Sequence, residues 1–257
     1  MRSIVIVAVN TYREIIRDRI LYGIFVFAIM LIGLSLALGE LSFSEQARIT
    51  TSFGLSAIQL SAAVLSIFLG SSLVTREIEK KTIMTLLVRP LTRIQFLLGK
   101  ALGLFFLQIT VLAALACVLV GIYFFVGVEI QYQLFVALYG VLLEAMVLLA
   151  LALFFSIFAT PMMVVAFTTG LFIIGHWLDS LNFFFNRKES TNLFLSSFGQ
   201  ILQKIVPNLD RFNWRSAVVY GDAIAMKEVL LATGFAFGWF IVLISLAGFI
   251  FRRRDFA

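Results

Sequence analysis

The chain has 257 residues, of which 61% are hydrophobic, while Lys, Arg, Asp and Glu together supply only 13% against the roughly 25% usual in soluble domains. A bilayer crossing takes roughly 20 apolar residues, so this composition excludes a water-soluble globule and fits a small multi-span membrane protein with no room for a second soluble domain. The net charge of +6 is then a statement about membrane topology, and without a basic and aromatic surface module no nucleic-acid partner is expected.

The chain opens with Met1-Arg2-Ser3 and a short apolar run, Ile4 to Val9, followed by Asn10-Thr11 and charges from Arg13. With no small-residue cleavage site, a secretory signal peptide is not expected. Residues 3–19 instead predict an amphipathic helix. Ile4, Val5, Ala8, Val9, Tyr12, Ile15 and Ile16 form an apolar stripe opposite Arg13, Glu14, Arg17 and Asp18, the pattern of a helix lying on the inner membrane surface.

Runs free of acidic and basic residues locate the spans, because one such charge at the centre of a spanning helix costs about 2.5–3.5 kcal/mol on insertion scales. The expected spans are 20–39, 54–74, 96–125, 131–158, 162–178 and 230–251. The fourth and fifth come from one apolar stretch too long for a single crossing, divided at Ala159-Thr160-Pro161 because proline disfavours helical geometry just before it. The expected fold is all-α, a polytopic bundle of six transmembrane helices forming one domain over residues 1–257, with an interfacial helix at 1–19, a cytoplasmic loop at 75–95 and a long outer loop at 179–229. Within that outer loop, residues 191–206 carry Phe194, Phe198, Ile201, Leu202 and Ile205 at helical spacing, which predicts a helix at the outer interface or in the bundle mouth.

Arg and Lys set the orientation. Residues 1–19 hold four, 75–100 six and 252–257 three, against Arg48 and six in 179–229 on the other side. The positive-inside rule places both termini in the cytoplasm.

Between spans two and three, Thr75 is positioned to cap a helix that Pro90 must end. Ile83, Leu86, Leu87 and Pro90 share one face, while Arg76, Glu77, Lys80 and Lys81 crowd the first turns. An apolar ridge on a short cytosolic helix needs a groove, which the chain's own bundle, lipid headgroups or a partner domain could each supply.

This segment resembles the coupling loop of the ABC type-2 permeases, the membrane subunits of ATP-driven exporters, and more loosely their copper-enzyme-maturation and gliding-machinery branch. That loop reads as an acidic residue, Gly-Thr, Leu-Leu, Pro and a Gly-Lys at the next span. Here Glu77, Thr82, Leu86-Leu87, Pro90, Arg93 and Gly99-Lys100 follow in that order, with Lys81 in place of the glycine. The surface helix, the six spans, the large loop before span six and the ending Phe251-Arg252-Arg253-Arg254-Asp255-Phe256 are similar to the family as well.

The resemblance implies that residues 76–90 form a coupling helix on which an ATPase subunit docks, with Arg76, Glu77, Thr82, Ile83, Leu86, Leu87, Arg89 and Pro90 as contacts. It implies two permease chains, identical or paired with a sibling, two ATPase subunits that bind ATP and Mg, and export or flipping of a substrate across the cytoplasmic membrane of a prokaryote. This chain carries no cofactor or catalytic site of its own in that reading. It has no G-x-x-x-x-G-K-[S/T] phosphate loop, no G-x-S-x-G and no H-E-x-x-H, so an embedded enzyme is not expected. The alternative is an ATP-independent carrier or a membrane anchor for another complex.

Glu144 falls near the middle of span four, where an ionisable group is a functional candidate by default and needs a polar partner. With Gln108 and Thr110 at similar depth on span three, it is a candidate for a substrate path or gating; the competing reading is a packing hydrogen bond to a neighbouring helix. Gly99/Gly103 and Gly234/Gly238 match G-x-x-x-G and suggest close helix contacts within the subunit. His176, the only histidine, is expected to make an interfacial hydrogen bond beside Trp177, and no metal site is expected. Cys117, the only cysteine, can form no disulfide within the chain.

Overall fold

The computed structural model describes residues 2–40, 45–79, 92–185 and 206–253, and every regular element among them is helical. In chain order these are α1 (Arg2–Ile16), α2 (Arg19–Glu40), α3 (Gln46–Glu79), α4 (Arg93–Val126), α5 (Tyr132–Ser156), α6 (Pro161–Phe185), α7 (Arg215–Tyr220) and α8 (Met226–Arg253), with a 3-10 turn at Asp210–Phe212 before α7. Six of them are long and apolar enough to cross a membrane, over Leu21–Glu40, Gln46–Ser72, Ile94–Val126, Tyr132–Ser156, Pro161–Leu178 and Met226–Phe251. An even number of crossings puts the two ends of the chain on one side, called proximal below; the other side is distal.

Local chemistry explains where several helices stop. Thr92 accepts a hydrogen bond from the Gln95 backbone at 3.3 Å while the Gln95 side chain accepts from the Thr92 backbone at 3.2 Å, a capping box that starts α4. At the other end Gly127 takes φ +77°, and its N–H donates to the Tyr123 carbonyl, closing the helix in the left-handed conformation that glycine adopts without strain. The turn between α5 and α6 falls at 157–160 and α6 begins at Pro161, as the proline predicts.

Two boundaries differ from expectation. The second span starts at Gln46 rather than 54: Arg48, expected in a connection, lies in the first turn of α3, where its guanidinium pairs with Glu45 at 2.9 Å. Thr75 does not cap a separate helix either, because α3 runs without a break through Glu79. A cap residue must leave helical geometry, and no glycine or proline between Ser72 and Glu79 interrupts the helix.

The helices are not equivalent. In their most apolar stretches 78% of residues are buried in the fourth span and 67% in the second, against 22% or less in the other four. So α5 and α3 form the centre, and α2, α4, α6 and α8 wrap them with one face left for lipid or another chain. Gly70 brings the two central helices together; a Cβ there would lie 2.6 Å from that of Ala152. Side chains stitch the layers. Ser66 Oγ donates to the Ala145 carbonyl at 3.0 Å, Tyr123 OH to Thr51 Oγ1 at 3.0 Å, and Tyr139 OH and Thr233 Oγ1 share a bond at 3.0 Å. In lipid such contacts contribute about 0.6 kcal/mol each on average.

Candidate functional site

A polar cluster inside the bundle is built around Glu144. Halfway along α5 and 1% exposed, its Oε2 accepts a hydrogen bond from Gln59 Nε2 of α3 at 2.7 Å. The same amide nitrogen lies 3.1 Å from His176 Nε2 of α6. His176 Nδ1 is 3.0 Å from the Phe172 carbonyl, which can only accept, so Nδ1 donates there and Nε2 faces the Gln59 amide. One Gln59 amide nitrogen thus contacts both Glu144 and His176 and joins α3, α5 and α6. Glu144 Oε1 has no hydrogen-bond partner among the described residues; His176 Nε2 is 3.5 Å away.

His176, two residues before the end of its span at Leu178, makes its hydrogen bond to Gln59 of the neighbouring α3. Gln59 escaped the sequence reading, although a glutamine inside an otherwise apolar run was the signal for it. The cluster is not sealed: Gln59 and His176 are half-buried, and around them Phe53 and Leu60 of α3 and Phe167, Ile173 and Trp177 of α6 are exposed.

Gln108 and Thr110 do not join it. Gln108 is buried and donates to the Ala62 carbonyl of α3 at 3.2 Å. Thr110 faces the other way, donating to the Phe106 carbonyl at 3.0 Å and lying 3.2 Å from Tyr12 OH of α1.

The distal segment 206–220 roofs the cluster. Gly140, one turn distal to Glu144, lets the Phe212 carbonyl and the Trp214 ring approach; a Cβ there would lie 2.3 and 2.9 Å from them. Gly175, beside His176, receives Leu209 and the Pro207 carbonyl in the same way, and Leu209 N–H donates to its carbonyl at 3.2 Å. Leu209 and Phe212 are consequently buried. From the first turn of α7, Arg215 hydrogen-bonds Ser56 Oγ, one turn distal to Gln59 on α3. The amphipathic run expected at 191–206 lies outside the described residues except for buried Val206.

On the proximal side α1 packs across the start of α4. A Cβ at Gly99 would lie 2.6 Å from Val7 and one at Gly103 2.6 Å from the Ala8 carbonyl, so this G-x-x-x-G pair is a helix contact within the subunit. Lys100, between them and 3% exposed, pairs with Glu14 of α1 at 3.5 Å. Gly234 and Gly238 behave otherwise: a Cβ at either would meet nothing within 4 Å, so they form no such contact.

Of the expected coupling residues, Arg76 and Glu77 lie in the last turns of α3. Thr82, Ile83, Leu86, Leu87, Arg89 and Pro90 lie outside the described residues. What is described is the mounting. α3 and α4 are 34 residues each, about 51 Å at 1.5 Å per residue, against a hydrocarbon core of about 30 Å. α3 carries seven residues beyond Ser72, the end of its span.

Comparison with known proteins gives one finding. A family model described as ABC-2 family transporter protein matches residues 16–186, well over half of the chain, from the end of α1 through α6. No curated protein gives a significant match.

Proposed function

Because the chain belongs to the ABC-2 family of transporter proteins, and is therefore a multi-pass membrane permease, we propose that it couples ATP hydrolysis in a separate ATPase subunit to export or flipping of a substrate across the cytoplasmic membrane. Permeases of this family generally work with an ABC ATPase. The observation that carries the coupling is the mounting of residues 80–91. They fall inside the matched region, between two helices that each overrun the bilayer, and they hold Thr82, Leu86-Leu87 and Pro90 in the family's order. In this reading the ATPase closes around ATP and Mg and pushes on residues 76–90. A helix continuous from Gln46 to Glu79 transmits the push as tilt, and α3 is the helix that carries Gln59 and Ser56.

Orientation follows from the basic residues: thirteen of twenty stand on the proximal side, which the positive-inside rule makes cytoplasmic. The Glu144 cluster is then a polar station at mid-membrane. Glu144 Oε1 offers an acceptor to a donor group on a passing substrate, and tilting α3 against α5 would break the Gln59 link. Ionisable and polar groups in a membrane face a bundle interior or a water-filled cavity rather than lipid. The half-buried edge of Gln59 and His176 therefore calls for a second permease chain over the α3 and α6 face, enclosing a path between two copies.

The assembly is tested by purifying the tagged chain from its native host in mild detergent. Recovery of an ATPase with a phosphate loop, and Mg-dependent ATP hydrolysis by the complex in vesicles, is expected. Recovery of this chain without any nucleotide-binding subunit would contradict the reading.

A further inference from the structure

The carboxyl of Glu144 is only half used. Oε2 accepts from Gln59 at 2.7 Å, whereas Oε1 has no hydrogen bond among the described residues. Four buried side-chain polar atoms there lack one, and Glu144 Oε1 alone belongs to an ionisable group. A buried acceptor without a donor is costly, so a donor that reaches it gains more than it would in water.

Access to this oxygen is one side chain deep. The two residues closest to the carboxyl, Gln59 and His176, are themselves half-buried at the α3 and α6 edge. His176 Nε2 stands 3.5 Å from Oε1, too far for a good hydrogen bond, and turning that ring outward uncovers the oxygen. The surroundings are apolar and aromatic. Phe53 of α3 is 52% exposed and Trp177 of α6 63%, and the Phe172 ring centre lies 4.7 Å from that of His176. The roof residues whose charge reaches Glu144, Asp210 and Arg215, have opposite signs and give an anion no net attraction.

This set of groups chooses among ligands. A sugar brings many hydroxyls and needs as many partners, and here one acceptor is unpaired. A phosphate or a second carboxylate would set an acid against Glu144. One unpaired acceptor beside an aromatic wall matches a ligand with a single strong donor on an apolar body, and aromatic faces favour a cationic head.

We propose that the path takes a lipophilic amine, an assignment that rests on the permease reading above. Its nitrogen displaces the His176 ring and donates to Glu144 Oε1, while its apolar body lies against Phe53, Leu60 and Trp177. The pair needs one proton between the two groups. The ligand brings it as an ammonium, or Glu144 passes its own to a neutral amine, so no outside acid is required.

The test is a series of ligands with one apolar body and three heads. Tritiated 4-phenylbutylamine is bound to the full-length chain, immobilised in mild detergent, and competed with unlabelled amine, 4-phenylbutanol and 4-phenylbutyrate. Saturable binding is expected, with the alcohol competing at roughly tenfold higher concentration than the amine and the acid more weakly still. Glu144→Gln lowers the amine affinity roughly tenfold, to the level of the alcohol. His176→Ala, which uncovers Oε1, keeps the preference for the amine. Absence of saturable binding overturns the proposal, as does equal competition by alcohol and amine, a preference that survives Glu144→Gln, or one that is lost in His176→Ala. If Glu144→Gln fails to fold, judged by gel filtration, the three heads on the unaltered chain and His176→Ala decide. No ATPase takes part in this measurement, so its failure leaves the coupling to an ATPase standing, and recovery of the chain without an ATPase leaves the amine site standing.

Discussion

Gln59 on α3 and Glu144 on α5, 85 residues apart in sequence, meet at 2.7 Å in the middle of the bundle. Replacing the donor, Gln59→Leu, leaves a buried carboxyl without it and is expected to destabilise the chain by about 1–3 kcal/mol. Glu144→Gln keeps an acceptor facing Gln59 and costs less. In a double-mutant cycle with Glu144→Leu the coupling is about 0.6–1.7 kcal/mol, measured by unfolding in detergent. A neutral Gln59→Leu would show that the bond carries nothing.

Stability and transport separate at this site. If Glu144 is a station on the substrate path, Glu144→Gln lowers transport roughly tenfold, the equivalent of about one hydrogen bond, while the ATPase stays bound. Full transport by Glu144→Gln would remove the residue from the path and leave it as a packing bond.

The two G-x-x-x-G pairs are predicted to respond in opposite ways. Gly103→Ala drives a Cβ to 2.6 Å from the Ala8 carbonyl, and the overpacking is expected to cost about 1–3 kcal/mol by lifting α1 from α4. Gly234→Ala and Gly238→Ala meet open space and gain helix propensity, so within one chain they are neutral or stabilising by up to about 1 kcal/mol. Thermal unfolding of the three variants checks this; equal losses would contradict it.

Whereas the cap was expected at Thr75 and is found at Thr92, the six spans and the break at Pro161 were open to a reading of the sequence because each depends on local composition or a local turn. So was the need of Glu144 for a partner, since the cost of a carboxyl at that depth requires one. Which residue answers it was hidden: Gln59 and His176 come from helices whose rotation about their axes no periodicity reveals in chains apolar on every side. The same limit explains Gln108 and Thr110, alike in depth to Glu144 but turned toward Ala62 and Tyr12. Arg215 was hidden for another reason, as a loop residue whose docking on Ser56 depends on Gly140 and Gly175 admitting a backbone far away in sequence.

That docking gives a further prediction. Gly175→Val, which has no room beside Leu209, is expected to lift the distal segment. In a background of Cys117→Ser, Phe212→Cys should resist a water-soluble thiol reagent with Gly175 present, since Phe212 is 1% exposed, and react at least tenfold faster with Gly175→Val, about 1.4 kcal/mol of lost protection. Equal rates would mean the roof is open in both.

The proposed coupling role of residues 80–91, between α3 and α4, is the central claim that a separate nucleotide-hydrolysing subunit drives this permease. Leu86→Asp with Leu87→Asp places two charges on the apolar ridge that the sequence predicts there. Co-purification of the ATPase with this variant, against the unaltered chain, is the measurement. Loss of the ATPase from a chain that still elutes as a folded bundle is expected. Undiminished recovery would mean that the ridge does not grip the ATPase.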